Sequence, residues 1–417
     1  MNDNKDLKEK YMTASKIKTS LALTSLGHFL NDGGFFLFPV VATIFSVEKG
    51  FSPILISLMY AIYYGSSSVF TTFISYRVDR SRRFAENIST GIILISIGLL
   101  GLAYSLTISP GYFLNAMTLI STLIIGLGTG YYHPLGAAVI QDNTPPNFLG
   151  KALGINGGMG SVGRAVYPLL FFEIAVTYHY SIALTMISTI GIVGGIAIYV
   201  GLKESLKGSK SKDKNEKGST LKASITRGVA ILAILTFARS LATQGIVSWI
   251  PFYLSYTEGL GIGLSLGIMM TVMYAIAIIG QPFFGILVDR FDKRYLLILT
   301  TIGTGIFTLG FVLTRGYLSI IMIVIFAFFN FSGFPLLMSL TRDYVPKTSS
   351  LSNSLVWGIA STGGTVLGPV IVGAYLFNSY VKLSATYEIL ASLIIIIGFF
   401  TFTLPKPSTK SKMPLFM

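Results

Sequence analysis

The sequence predicts an all-α membrane protein: twelve transmembrane helices in two parallel six-helix repeats, with N- and C-termini cytoplasmic. Three observations predict it. Of 417 residues, 52% are hydrophobic and only 12% charged, against about a quarter charged in a soluble domain; mean hydropathy is +0.70. The charges cluster, leaving apolar windows long enough to cross a bilayer at 1.5 Å per helical residue. And a short charged motif occurs twice, half a chain apart, each time after a long apolar run.

That motif is Ser75-Tyr-Arg-Val-Asp79-Arg80-Ser-Arg82-Arg83 and then Gly285-Ile-Leu-Val-Asp289-Arg290-Phe-Asp-Lys293-Arg294, read as a loop between two spans. Its aspartates lie 210 residues apart. The spans are expected at 19–46, 53–76, 87–107, 111–141, 150–178 and 180–202, then 228–257, 261–288, 295–314, 317–342, 354–379 and 385–404. The fourth and tenth exceed what a bilayer needs, which predicts tilt or interfacial ends.

Lys and Arg set the orientation. With the N-terminus inside, 26 of the 31 fall in inside segments and three (Lys49, Arg315, Lys382) in outside loops, the positive-inside pattern. The remaining two, Arg164 and Arg239, lie within spans. Residues 203–227 are rich in Lys, Ser and Gly and cannot bury a core, so they read as a solvated cytoplasmic linker. The domains expected are 1–202, a six-helix half; 203–227, the linker; and 228–417, a second half with a short tail.

Composition excludes several function classes. There are no cysteines, hence no disulfide, thiolate metal site or cysteine nucleophile. His28, His133 and His179 are too scattered along the chain to suggest a metal cluster. The net charge of +14 reads as topology-setting loops rather than a nucleic-acid footprint. Met1 to Lys18 is polar and shows no cleavable signal.

The duplication extends beyond the motif. Gly33 and Pro39 match Gly245 and Pro251 at an offset of 212; His133-Pro134, Asp142 and Pro145 match Phe334-Pro335, Asp343 and Pro346 at 201; Gly157-Gly158 match Gly363-Gly364 at 206. Two halves that both start inside are parallel repeats, one of the repeat types of secondary transporters.

These residues resemble the major facilitator superfamily over nearly the whole chain. Its loop signature, loosely G-x-x-x-D-R-x-G-R-R between spans two and three and often echoed between eight and nine, is matched by Gly285, Asp289, Arg290 and Lys293-Arg294; the first copy has Ser75 where glycine is usual. Gly27-His28-Phe29-Leu30-Asn31-Asp32 and Tyr132-His133-Pro134-Leu135-Gly136-Ala137-Ala138 resemble fosmidomycin-resistance-type exporters. Drug–proton antiporters carry an arginine in span four and Gly-Pro in span five; span four here has no arginine, and span five has Gly163-Arg164. The resemblance implies alternating access, with spans one, four, seven and ten lining a central cavity and two, five, eight and eleven contributing.

An ionised side chain in mid-span costs about 2.5–3.5 kcal/mol on insertion scales, so each one asks for a reason. Asp32 is midway along span one, with His28 four residues earlier on the same face and Asn31 beside it. A carboxylate and an imidazole at mid-depth are a candidate proton-coupling pair; a structural hydrogen-bond network is the alternative. Arg164 and Arg239 cannot shed their protons, so each needs a carboxylate, carbonyls or an anionic substrate. On the simplest alternative, Asp32 pairs one arginine and the other reaches a carbonyl or water. Two arginines against one aspartate leave net positive charge, which favours a carboxylate, phosphate or phosphonate substrate. Glu173, toward the outer end of span five, reads as interfacial. His133 beside Pro134, Gln244 (the repeat partner of Asp32) and Asn330 complete the candidate substrate and coupling set. Asp79, Arg80, Asp289, Arg290, Asp142, Arg342 and Asp343 form a candidate charge lattice on the inner face. There Asp79 and Asp289 cap the following helices or pair with basic residues, while Arg82, Arg83 and Lys293 read as topology-setting charge.

The expected function is secondary active transport of a small, anionic organic solute by alternating access coupled to protons, with sodium as the alternative coupling ion. Proton-driven efflux of hydrophobic compounds is the alternative within transport, and a non-transporting receptor the alternative outside it. No catalytic constellation is present, so no enzyme and no cofactor or metal is expected. The partners expected are substrate, protons and the lipid bilayer of the cell membrane, with no nucleic acid; the superfamily default is a monomer.

Overall fold

The computed structural model describes residues 2–81, 83–206, 226–345, 354–377 and 379–406. Among these there is no strand, and twelve helical segments are long and apolar enough to cross a membrane. They are Ser15–Lys49, Pro53–Thr71, Phe84–Ser105, Tyr112–Asn143, Lys151–Thr177 and Tyr180–Ser205, followed by Arg227–Thr257, Leu264–Val288, Lys293–Leu313, Tyr317–Tyr344, Gly358–Leu376 and Tyr380–Thr403. We refer to them as spans 1 to 12. Most of the linker, 207–225, lies outside the described residues.

The chain clusters into two compact units. One comprises Met1–Phe51, Ile62–Lys214 and Ile262–Thr271; the other comprises Ser52–Ala61, Asn215–Gly261 and Val272–Met417. Within the first, span 1 packs along span 5, and span 3 packs against both span 4 and span 6. Within the second, span 7 packs along span 11, and span 9 against both span 10 and span 12. The internal packing scheme is therefore repeated, as the sequence duplication requires.

Small residues permit these contacts. In the first unit a side chain at Gly163 would meet the backbone carbonyl of Phe29, and one at Gly160 would enter the His28 ring. Lipid chains are as apolar as leucine, so close backbone approach, rather than hydrophobic exclusion, is what holds such helices together.

The long spans 4 and 10 are also interrupted. Each is two helices: Tyr112–Thr129 then Tyr132–Asn143 in span 4, and Tyr317–Phe331 then Gly333–Tyr344 in span 10. In span 4, Pro134 offers no N–H to the carbonyl four residues back and its ring crowds that carbonyl, so the chain breaks there. The break falls beside His133.

The repeated charged motif also sits differently from expectation. Asp79-Arg80 belong to the last turn of the helix Pro53–Ser81, and Asp289-Arg290 end the helix Leu264–Arg290. They are helix ends, not loops. The side chains of Asp79, Arg80 and Asp289 lie outside the described residues. The cap of the helix Lys293–Leu313 is Asp292, whose carboxylate accepts from Arg294 N at 2.9 Å. Arg294 also donates through its side chain to Asp292 at 2.6 Å, which holds that carboxyl below the usual carboxylate range. Asp343 is gripped by Lys293 at 2.6 Å, so Lys293 does more than set topology. Arg290 and Arg342 are exposed and Asp142 is half-buried.

Candidate functional site

The first unit gathers three basic side chains and one amide on one carboxylate. Asp32 is 3% exposed. His28 Nε2 lies 3.5 Å from its Oδ2, Arg164 Nε 3.5 Å from the same oxygen, and His133 Nε2 3.4 Å from Oδ1. Asn31 donates its Nδ2 to Oδ1 at 3.1 Å. The helical i, i+4 relation places His28 by Asp32; the tight span 1 to span 5 contact brings Arg164; the break in span 4 turns His133 toward them.

These ionic contacts are long. Charge-assisted hydrogen bonds usually close to about 2.7–2.9 Å, and Arg164 Nε is buried with no hydrogen-bond partner. Asp32 is thus ringed by basic groups, of which Arg164 alone is permanently charged, and is loosely held. Arg164 is braced elsewhere, donating Nη2 to Ser161 Oγ at 2.8 Å and lying 5.1 Å from the centre of the Phe36 ring. The His133 side chain is 58% exposed, so the one open approach to the carboxylate among these groups is through an imidazole.

A hydrogen-bond chain sets the state of His28. Tyr132 Oη donates to the Thr24 carbonyl at 2.5 Å, which can only accept. The Tyr132 oxygen must then accept from Asn156 Nδ2, 2.8 Å away. This turns Asn156 Oδ1 toward His28 Nδ1 at 3.0 Å, so Nδ1 carries a hydrogen. The second ring nitrogen faces the carboxylate. Without a proton there, a lone pair would oppose Asp32; with one, His28 is an imidazolium paired to it. A second proton taken up by His28 would therefore sit on Nε2, facing Asp32.

Asn156→Leu tests that chain. It frees His28 to carry its single proton on Nε2, so that a neutral imidazole can donate to Asp32. The tautomer and titration of 15N-labelled His28 followed by NMR are the readout; an unchanged tautomer would show that the amide does not set it.

His28, Asp32 and His133 place their donor atoms within 4.8 Å of one another, so two of the three histidines that look scattered in sequence share one carboxylate. The set has the ligand types of a transition-metal site. The Arg164 guanidinium on Asp32 opposes a dication there, so these residues fit a metal only if Arg164 withdraws. Tyr132, Asn156 and Ser161 are the members that sequence reasoning missed. Tyr132 stands next to His133, and Asn156 is a polar residue inside a glycine-rich run.

Other expected residues lie elsewhere. Arg239, Gln244 and Asn330 belong to the second unit. Arg239 donates Nη2 to the Asn330 carbonyl at 3.2 Å, and Gln244 donates to Ser248 Oγ at 3.2 Å. Glu173 is exposed.

The family model of the Major Facilitator Superfamily matches residues 24–369 and 263–415. The chain belongs to the major facilitator superfamily. It is accordingly a multi-pass membrane transporter and not an enzyme. Similar solved structures include a bacterial homologue of the human lysosomal transporter Spinster. In its inward-facing unoccupied conformation that homologue is 17% identical, with TM-score 0.72 over 93% of this chain and 95% of that one. Its occupied form is 15% identical, with TM-score 0.72 over 92% and 96%. A peptide transporter, POT, in complex with sulfate is 15% identical, with TM-score 0.72 over 92% and 93%. At these identities the likeness is one of fold. No curated protein matches the sequence significantly. In this superfamily member, the Asp32 cluster lies about midway along span 1 and joins spans 1, 4 and 5.

Proposed function

We propose that this transporter moves a small organic anion across the cell membrane by alternating access, coupled to protons, with Asp32 and His28 as the coupling pair. The observation that carries the reading is a single buried carboxylate shared by His28, His133 and Arg164. Three basic groups against one acid leave an excess of positive charge whenever a histidine is protonated, and an anion relieves it. Loss of the His28 proton weakens the hold on Asp32, leaving Arg164 as its main cation, so the packing of spans 1, 4 and 5 is expected to respond to protonation. Protons suit this site better than sodium. Sodium asks for oxygen ligands, as hard cations do, whereas Asn31 turns its NH2 toward Asp32 and the other neighbours are basic nitrogens.

The test is proton flux into proteoliposomes, followed with a pH dye, as carboxylates, phosphonates and lipophilic cations are added in turn. Flux triggered by one anion class and lost in His28→Gln is the expected result. Flux with lipophilic cations alone would replace this reading with efflux of hydrophobic compounds.

A further inference from the structure

Arg239, in span 7, is 7% exposed, and among the described residues no carboxylate pairs with it. Its charge is met instead by a helix end. Span 10 is broken at Ser332, between the segments Tyr317–Phe331 and Gly333–Tyr344. The last carbonyls of a helix lack partners in that helix and carry the negative end of its dipole. Arg239 Nη2 donates to one of them, the Asn330 carbonyl, at 3.2 Å; Ser332 Oγ donates to another, that of Phe328, at 2.6 Å. Pro335 has no N–H to offer the carbonyl of Phe331, so the ladder stays open at that rung. The break in span 4 is closed by backbone: the Gly130 and Tyr131 N–H groups return to the Leu127 and Gly128 carbonyls, both at 3.3 Å. Span 10 relies on side chains, and the arginine comes from another helix.

The two segments rest on different neighbours. The second packs on span 7, where Leu337 and Leu340 share a buried apolar cluster with Val229, Leu232 and Leu235. The first packs on span 9, with the Phe329 ring stacked 5.6 Å from that of Phe307 and Ser319 Oγ donating to the Phe311 carbonyl at 3.2 Å. Arg239 stands on span 7 with its guanidinium against Gly333, the first residue of the second segment; a Cβ there would come within 2.8 Å of Nη1. From that position it reaches across the break to the end of the first segment. One side chain thus ties both.

We propose that Arg239 is the pin of a hinge at Ser332-Gly333. As a positioning residue it holds the two segments of span 10 at their present angle, and bending of span 10 during alternating access breaks its bond to Asn330. Helix breaks are where helices kink, and a few residues at element ends absorb such motions. The helix end gives Arg239 a countercharge without any substrate anion. The pin is independent of the Asp32 cluster, and its test does not use transport.

The chain has no cysteine, so spin labels can be placed on cysteines at Ile234 in span 7 and Ile321 in the first segment, both exposed, and their separation measured by pulsed electron paramagnetic resonance. With Arg239 in place, one distance should hold ~90% or more of the population. Arg239→Gln should add a second distance of comparable share, and Arg239→Lys, which keeps a cation at the helix end, should restore the single one. Gly333→Ala removes no charge but displaces the guanidinium, and should reproduce Arg239→Gln. A purely structural role would lower Tm without adding a second distance, which would overturn the proposal. So would a second distance in Arg239→Gln that Gly333→Ala lacks, since the effect would then trace to the lost charge and not to the lost bond. Should Arg239→Gln fail to fold, Gly333→Ala decides alone: a second distance supports the pin, and a single one refutes it.

Discussion

Asp32→Asn is expected to abolish proton-driven accumulation of substrate while sparing substrate exchange across vesicles with no pH gradient. The amide keeps the size of the side chain and loses the negative charge that, in the proposed coupling, holds a second proton on His28. With that charge gone, His28 has no reason to take up a second proton at mid-membrane, where an unpaired ion is costly. Driven accumulation should fall by at least ~100-fold, equivalent to about 2.7 kcal/mol of lost discrimination between protonation states. Accumulation of labelled substrate with and without an imposed gradient is the measurement. If Asp32→Asn still concentrates substrate in step with the gradient, the coupling role belongs to another group.

The second large effect is expected at Arg164. Arg164→Met strips Asp32 of its one permanent cation and leaves a buried carboxylate facing two imidazoles. Breaking a buried pair on one side costs about 3–5 kcal/mol, and the long 3.5 Å contact places this case at the lower end. Adding Asp32→Asn removes the stranded charge, so the double variant should melt above Arg164→Met alone. Thermal melting of the four proteins of this cycle gives the coupling. Simple additivity would mean that Arg164 and Asp32 do not act as a pair, and the excess of positive charge at the site would then have to be recounted.

Much of this site was readable because part of it is local. His28 and Asp32 are four residues apart on one helix, and helical periodicity alone places them on one face. The arginines were conspicuous for a different reason: a permanent charge inside an apolar run stands out in any composition scan. What periodicity could not supply was the partner of each. Arg164 reaches Asp32 because glycines at 160 and 163 let span 5 approach span 1, a contact set by the absence of side chains. His133 joins them from beyond a helix break that hydropathy does not register, since Tyr112–Asn143 is apolar whether or not its hydrogen bonds are continuous. Asn156 was hidden by the glycines around it, and its role depends on the Tyr132 hydroxyl and the Thr24 carbonyl, which meet only after folding.

The sequence by itself determined the class of the protein: twelve apolar segments, a duplicated six-helix pattern and the superfamily signature. These follow from composition and spacing, because a bilayer imposes length and apolarity on each segment separately. Only the tertiary structure decided which charges meet. It gave Asp32 two histidines and Arg164, and put the Asp79 and Asp289 motifs on helix ends, with Asp292 capping the helix that follows the second. The physical reason is that a side chain's partner depends on how closely helices pack and how each is rotated, and in a membrane that is set by small residues and helix breaks whose effects are not additive along the chain.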